Sequence, residues 1–320
     1  MGTPDFAVPS LKALVEAGLE VAGVVTQPDR PRGRGKKVLP SPVKEAALAL
    51  GLPVYQPVRL KEESFISLLK DLKPDAIVVV AFGRILPAEV LSIPPLGCVN
   101  VHASLLPKYR GAAPIQKAIM NGETETGVTT MKMDAGLDTG DVLLQARTAV
   151  SPEENFGAVH DRLSRMGAQL LPETLELLAA GKMAGFPQDN EKATYAPVIS
   201  REDEIINWRN RAIDIKNQVR GLDPWPGART WLDGRVLKIW NVKVLPPEPG
   251  RESPAEAKRP LPGQILGPVE EGPAVQCGDY PLVIRELQLE GGKRLKAADF
   301  LRGVRIVPGT VLGYQNGSGK

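Results

Sequence analysis

Apolar and polar positions recur at helical spacing over residues 10–18, 41–51, 62–72, 86–91, 114–120 and 155–180, and each stretch predicts a helix. Gly18 and Gly181 close the first and last of these, and Pro42 stands near the start of the second. Between them lie short apolar, β-branched runs at 21–26, 52–55, 76–82 and 97–102, which predict buried strands, with 126–133 and 141–149 as a further pair. Helices alternating with apolar strands predict an α/β fold built on a doubly wound, mostly parallel, Rossmann-like sheet.

The pattern changes after about residue 196. Residues 212–221 predict one more helix. Residues 229–232 and 235–244 flank Asp233-Gly234, a strong hairpin signal. Residues 263–266, 274–277 and 282–289 predict three more strands, and short strands parted by turns suggest a small, OB-like β-barrel. The expected organisation is a catalytic domain over 1–196, a linker at 197–205, a C-terminal β-barrel over 206–312 and a tail at 313–320. Residues 245–262, rich in Pro, Glu and Lys, are expected to be a mobile loop.

Composition narrows the classes. No apolar run reaches the ~18 residues of a membrane span, and the first six residues carry neither part of a signal peptide. A cytoplasmic protein is expected. Cys98 and Cys277, too few for a disulfide framework, match no zinc spacing. The net charge is +3, and residues 201–320 hold 19 Lys and Arg against 15 Asp and Glu. That excess hints at a polyanion, although a solvated surface explains it equally well.

Candidate chemistry concentrates at Cys98-Val-Asn-Val-His-Ala-Ser-Leu-Leu-Pro107. In a strand, Asn100 and His102 share a face. An amide and an imidazole side by side suit a carbonyl whose oxygen turns negative during acyl transfer. A lone Asn-x-His is more often a polar pair satisfied by backbone. Here, however, a Gly- and Pro-framed loop follows, beyond the C-terminal end of a parallel strand, where open α/β sheets bind ligands. Met133-Asp-Ala-Gly-Leu-Asp-Thr-Gly-Asp141 lacks the spacing of a calcium loop, so either it is a solvated turn or its Asp138 reaches His102 and favours the charged ring. Arg30, Arg32, Arg34, Lys36 and Lys37 fall in one glycine-rich, proline-bounded loop with Asp29 as its only local carboxylate, which suits a phosphate backbone. His160, on the long helix, reads as structural. The four tryptophans all follow residue 200 and read mostly as core, with one or two able to stack on bases.

These segments together resemble the folate-dependent formyltransferases, and most narrowly their methionyl-tRNA branch. Gly-Thr-Pro-Asp-Phe, Thr-Gln-Pro-Asp-Arg-Pro, Asn-Val-His-Ala-Ser-Leu-Leu-Pro, Arg-Gly-Ala-Ala-Pro-Ile-Gln and Gly-Leu-Asp-Thr-Gly-Asp stand in the family's order along nearly the whole chain. The resemblance implies transfer of the formyl group of 10-formyltetrahydrofolate to the amino group of methionyl initiator tRNA, without a metal, by a monomer. It makes Asn100, His102 and Asp138 catalytic and Ser104, Leu105, Leu106 and Pro107 a folate-binding segment. It assigns Arg30, Arg32, Arg34, Lys36 and Lys37 to the tRNA. A formyltransferase for another amine, a nucleotide sugar or a purine precursor, is the runner-up. A non-catalytic RNA-binding protein on the same scaffold is the other alternative, and the intact Asn100, His102 and Asp138 argue against it. Family members begin with an apolar strand leading into Met-Gly-Thr-Pro, whereas this chain starts at that Met. The expectation is that a central strand is missing, that residues 2–9 cannot replace it, and that the native protein starts upstream.

Overall fold

A computed structural model describes residues 1–32, 37–245 and 260–313. The chain divides into two compact units. The first comprises residues 1–115, 125–149 and 158–198. Along the chain as far as Ala179 run α1 (Val8–Glu16), β1 (Val24–Val25), β2 (Arg30–Arg32), β3 (Lys37–Leu39), α2 (Pro42–Ala49), β4 (Val54–Tyr55), α3 (Glu63–Leu72), β5 (Ile77–Val80), α4 (Ala88–Leu91), β6 (Cys98–His102), α5 (Pro114–Met120), β7 (Glu125–Lys132), β8 (Val142–Ala149) and α6 (Phe156–Ala179). Local chemistry sets several boundaries. The Ser41 hydroxyl accepts from the Lys44 amide at 3.1 Å and caps α2, with Pro42 at its first position.

β4 and β1 pair in parallel, as do β5 and β6, while β7 and β8 follow antiparallel. The sheet is therefore parallel on one side of β6 and antiparallel on the other. Strands alternate with helices because α/β crossovers bury both sheet faces, and Val99, Val101 and Val128 are accordingly buried. α6 comes close because Gly167 has no side chain: a Cβ there would stand 2.6 Å from Val101 Cγ1.

The position between β1 and β5 is held by two residues. Gly2 donates to the Val25 carbonyl at 3.0 Å, Val80 donates to the Met1 carbonyl at 2.9 Å, and the Met1 ammonium donates to the Val78 carbonyl. Residues 1–2 thus bond to Val25, Val78 and Val80 where the expectation is that residues 2–9 cannot replace a central strand. From Asp5 the chain turns helical. A cavity of about 390 Å³ lies between residues 21–25 and 74–78, lined also by Met1, Leu175 and Ala179.

The basic segment differs from its expected form. Residues 30–32 and 37–39 pair as an antiparallel ribbon, with Arg30 opposite Leu39 and Arg32 opposite Lys37, so both arms are strands rather than loop. The glycines that suggest a loop fall between the arms.

The second unit groups residues 116–124, 150–157 and 199–320. This departs from the expectation of domains contiguous in sequence and split at 197–205. Residues 116–124 and 150–157 join the later ones because the buried Arg220 donates to the carbonyls of Ser151 and Glu154, each at 3.2 Å, and Gly221 packs on Met120. The unit holds α7 (Ala212–Gly221), β9 (Ala228–Leu232), β10 (Arg235–Val244), β11 (Ile265–Val269), β12 (Gly272–Gln276), β13 (Pro281–Leu289), β14 (Leu295–Lys296) and α8 (Ala297–Gly303). Its antiparallel sheet runs β11-β12-β13-β10-β9, with β14 also on β13. Asp233 and Gly234 turn the β9–β10 hairpin with φ of 49° and 76°, as a two-residue turn with both central residues at positive φ requires. Trp208 and Trp240 are buried, whereas Trp225 is 67 % exposed. Most of the stretch 245–262 and the tail at 313–320 lie outside the described residues.

Candidate active site

β6 ends at His102, and its pairing fixes that end from both sides: Val80 stands opposite Val101, and Thr129 opposite His102. Asn100 and His102 point to the same side, because both meet one carboxylate. Asn100 Nδ2 lies 3.4 Å from Asp138 Oδ1, and His102 Nδ1 lies 3.6 Å from Asp138 Oδ2. Both distances are long for direct hydrogen bonds. The Gly111 N–H donates to the same Oδ2 at 2.9 Å and anchors the carboxylate.

The imidazole is 5 % exposed, and its Nε2 lies 2.9 Å from the Tyr109 carbonyl oxygen. A carbonyl oxygen only accepts, so Nε2 carries a proton and Nδ1 faces Asp138. Both neighbours are held in unusual backbone conformations, Tyr109 at φ 61° and Asp138 at φ 53°. Non-glycine residues at positive φ cluster where a site imposes its geometry, and here one aims a carbonyl and the other a carboxylate at the ring.

The segment 104–107 folds back on itself. The Ser104 hydroxyl donates to the Lys108 carbonyl at 2.6 Å, and the Thr129 hydroxyl donates to the Ser104 carbonyl at 2.7 Å. Leu106 donates its N–H to Thr129 Oγ1, and Gln145 donates to the Leu106 carbonyl at 2.9 Å. Ser104 and Leu106 are buried, while Leu105 and Pro107 are half-buried. Any ligand at this segment therefore meets Leu105, Pro107 and backbone rather than the serine hydroxyl.

Of the basic residues, Arg30 is exposed on its strand. Arg34 and Lys36 lie outside the described residues, as do the side chains of Arg32 and Lys37. Asp29 has partners among the described residues. It pairs with Lys44 at 2.6 Å and accepts from Gln56 at 2.7 Å, and the Lys44 hydrogen bond, followed by that from Gln56, holds its carboxyl below the usual range.

Sequence reasoning missed several residues around the site. Thr129 and Gln145 shape the 104–107 loop from β7 and β8. Arg110 and Gln188 brace the Asp138 loop. After β5, Ala81 and Gly83 take φ of 46° and 73°, and Ile85 stands 86 % exposed at the sheet's C-terminal edge. An exposed apolar residue there is a ligand-edge signal, concealed in the sequence because the strand's apolar run continues to Phe82. His160 contacts Phe6 edge-on and Asp161 at 2.9 Å, which fits a structural role. Burial pushes the Cys98 and Cys277 thiols up to about 11 and about 12, so neither is a nucleophile. Among the described residues no cluster could hold a metal ion, and no helix is long and apolar enough to cross a membrane.

Two family models match the chain: "Formyl transferase" over residues 1–175 and "Formyl transferase, C-terminal domain" over 198–305. The chain belongs to the formyl transferase family. A methionyl-tRNA formyltransferase of Pelotomaculum thermopropionicum is 55 % identical over 313 residues, covering 98 % of this chain and 97 % of that protein. Another, from Moorella thermoacetica, is 53 % identical over 314 residues and covers 98 % of each. Among solved structures, an N-formyltransferase from Helicobacter canadensis, in complex with folinic acid and dTDP-3-aminofucose, superposes with a TM-score of 0.62 at 19 % identity, over 88 % of this chain and 96 % of that one. That last likeness shows a shared fold. Formyl transferases are α/β proteins of this Rossmann-like kind followed by a C-terminal domain, and the sheet carrying Asn100 and His102 is that scaffold.

Proposed function

We propose that the chain is a cytoplasmic methionyl-tRNA formyltransferase, moving the formyl group of 10-formyltetrahydrofolate to the free amino group of methionyl initiator tRNA. The observation that carries this reading is the convergence of Asn100, His102 and Asp138 at the sheet's C-terminal edge, in a chain aligned end to end with methionyl-tRNA formyltransferases.

In the proposed mechanism the neutral amine attacks the formyl carbon and the carbonyl π pair moves to oxygen. The Asn100 amide donates to that oxyanion. His102 keeps its Nε2 proton on the Tyr109 carbonyl, so Nδ1 takes the proton that the amine must lose. Asp138, beside Nδ1, stabilises the imidazolium so formed. On collapse the bond from carbon to the folate nitrogen breaks, and the Nδ1 proton passes to that nitrogen. The products are formylated methionyl-tRNA and tetrahydrofolate, and the site returns to its starting state.

Leu105, Pro107 and the exposed edge at Ile85 support folate beside the trio. Arg30, Arg32, Arg34, Lys36 and Lys37 are proposed to contact tRNA phosphates, an assignment supported by their charge and by the commitment of Asp29 to Lys44. The deciding experiment offers 10-formyltetrahydrofolate with charged initiator tRNA, an amino-sugar nucleotide or a glycinamide ribonucleotide in parallel. Transfer to the charged tRNA with the highest kcat/KM is the expected result. Faster transfer to either small amine would overturn the assignment of the acceptor.

A further inference from the structure

Arg110 is a cation buried to 2 % exposure whose guanidinium meets neutral groups. Its Nε and Nη2 donate to Gln188 Oε1 at 3.0 and 2.8 Å, and Nη2 also donates to Asn190 Oδ1 at 2.8 Å. An arginine stays protonated in any such setting, so its charge is a fixed feature of this corner of the fold. Gln188 then spends its other end on the Asp138 loop. Its Nε2 donates to the Asp138 carbonyl at 2.8 Å and to the Gly140 carbonyl at 2.7 Å. The amide is fully committed: two donors from one arginine on its oxygen, two carbonyl acceptors on its nitrogen. The orientation is unique, since a flipped amide would set N–H against N–H and oxygen against oxygen.

The loop so held is the one whose backbone stands at φ 53° at Asp138. Local preference alone does not keep a non-glycine residue there, so the surroundings impose it. The Asp138 carboxylate is gripped from the same direction, because the Gly111 N–H that binds Oδ2 belongs to the residue after Arg110. Arg110 thus fixes Asp138 twice, by its backbone neighbour and through Gln188. Its charge also polarises the glutamine amide and strengthens both donations.

We propose that Gln188 is a positioning residue for the formyl transfer, backed by Arg110, and that it sets where the Asp138 carboxylate stands against His102 and Asn100. The inference rests on the trio being the reacting site. Gln188 touches no reacting atom and acts only through the Asp138 loop.

The test compares Gln188→Met and Gln188→Glu with Asp138→Asn and with the Gln188→Met/Asp138→Asn double variant. Gln188→Glu keeps an oxygen for Arg110, and therefore the fold, while losing both donors to the loop. Both single variants at 188 are expected to lower kcat by roughly ten-fold or more, as misplacement of a catalytic group does. The KM values for both substrates are expected to stay within about two-fold, since no substrate contact is removed. The double variant is expected to match Asp138→Asn alone, because a residue that works through Asp138 has nothing left to position. Hydrogen exchange of the Gly111 amide, a readout independent of catalysis, is expected to quicken in both variants at 188. Unchanged exchange overturns the proposal, as does a double variant slower than Asp138→Asn by the full factor of Gln188→Met. Quickened exchange with kcat unmoved both at 188 and in Asp138→Asn also overturns it, and places the fault in the role given to the trio.

Discussion

The two flanks of β5 are paired to different lengths. On one side each residue from Ile77 to Val80 has a parallel partner in β6, Val101 packs under Gly167, and the strand delivers His102 to the site. On the other side Gly2 bridges Val80, and a cavity of about 390 Å³ lies between residues 21–25 and 74–78. The proposed chemistry stands on the finished flank. A reacting group must be held to about half an ångström, which takes a paired backbone and a supporting shell of hydrogen bonds. The other flank delivers no side chain to the trio. Its defects should therefore appear in stability, and those of the finished flank in turnover.

The sharpest way to break this comparison is at the end of β6. His102→Ala is expected to lower kcat by about 10²–10⁴-fold, the usual cost of losing an acid–base group. The melting temperature should move little, because His102 lies at a strand end and its ring accounts for few of the sheet's bonds. Single-turnover formylation and a thermal melt read the two quantities separately. A large loss of melting temperature with modest loss of turnover would reverse the assignment of the flanks.

A polypeptide that begins at Met1 carries a pH dependence at this flank. The Met1 ammonium is buried between strands, and burial pushes its pKa from 8.0 down to about 5. In the unfolded chain the group titrates near its ordinary value. Between pH 5 and 8 the unfolded state therefore binds more protons, and stability rises with pH across that window. The penalty is fully present below about pH 5 and absent above about pH 8. A pKa lowered this far corresponds to at most ~4 kcal/mol. Urea melts at pH 5.5, 6.5 and 8 should show the rise, and acetylation of the terminus should remove most of it. A flat profile would mean that the ammonium escapes to water.

How far the two flanks are legible in the sequence follows from the range of the interactions involved. Asn100 and His102 are legible because alternation along a strand is a two-residue rule. Asp138 is legible because glycines frame it. Gln188 is not, since it sits in no pattern of its own and meets Arg110 across 78 positions, and the Arg-Gly-Ala-Ala-Pro motif that holds Arg110 does not reveal that partner. Ser104 stands out in a polar motif, yet its hydroxyl turns inward to Lys108, a contact that depends on the loop's closed path. The basic segment reads as loop because its glycines outweigh its short strand arms. The second unit's recruitment of 116–124 and 150–157 depends on Arg220, and one buried arginine leaves no periodic trace. Its hairpin is plain, because Asp-Gly is a local signal.

The cavity offers a second way to sharpen the comparison. Adding four to six apolar, β-branched residues ahead of Met1 extends the stub into the space between residues 21–25 and 74–78. At pH 8 the ammonium penalty is absent, so the gain comes from burial and backbone pairing less the ordering of the new residues. Two buried valine-sized side chains contribute ~3–6 kcal/mol, opposed by the ordering of the added backbone and supported by its new hydrogen bonds to both neighbouring strands. A rise in urea midpoint with unchanged kcat is expected. A matching extension of Ser and Gly serves as the control, and equal stabilisation by both would show that the cavity is not what is being filled.

The smallest effect concerns the ribbon that leaves the unfinished flank after β1. Its root is fixed by Asp29, Lys44 and Gln56, so Arg30 stands on an anchored base. If they contact tRNA phosphates, each contributes mainly by releasing counterions. Arg34→Ala should then weaken tRNA binding by roughly 1 kcal/mol or less and reduce the slope of log affinity against log salt by about 0.9. Folate affinity should not change, because the folate edge proposed at Leu105, Pro107 and Ile85 lies in the segments that follow β5 and β6. The N-terminal extension should leave the salt slope alone, since it adds no charge to the ribbon. Titrations of charged tRNA at three salt concentrations, with parent, Arg34→Ala and the extended chain, measure all of this together. An unaltered slope in Arg34→Ala would remove that arginine from the tRNA contact, and a slope altered by the extension would mean that the two features of this flank are coupled.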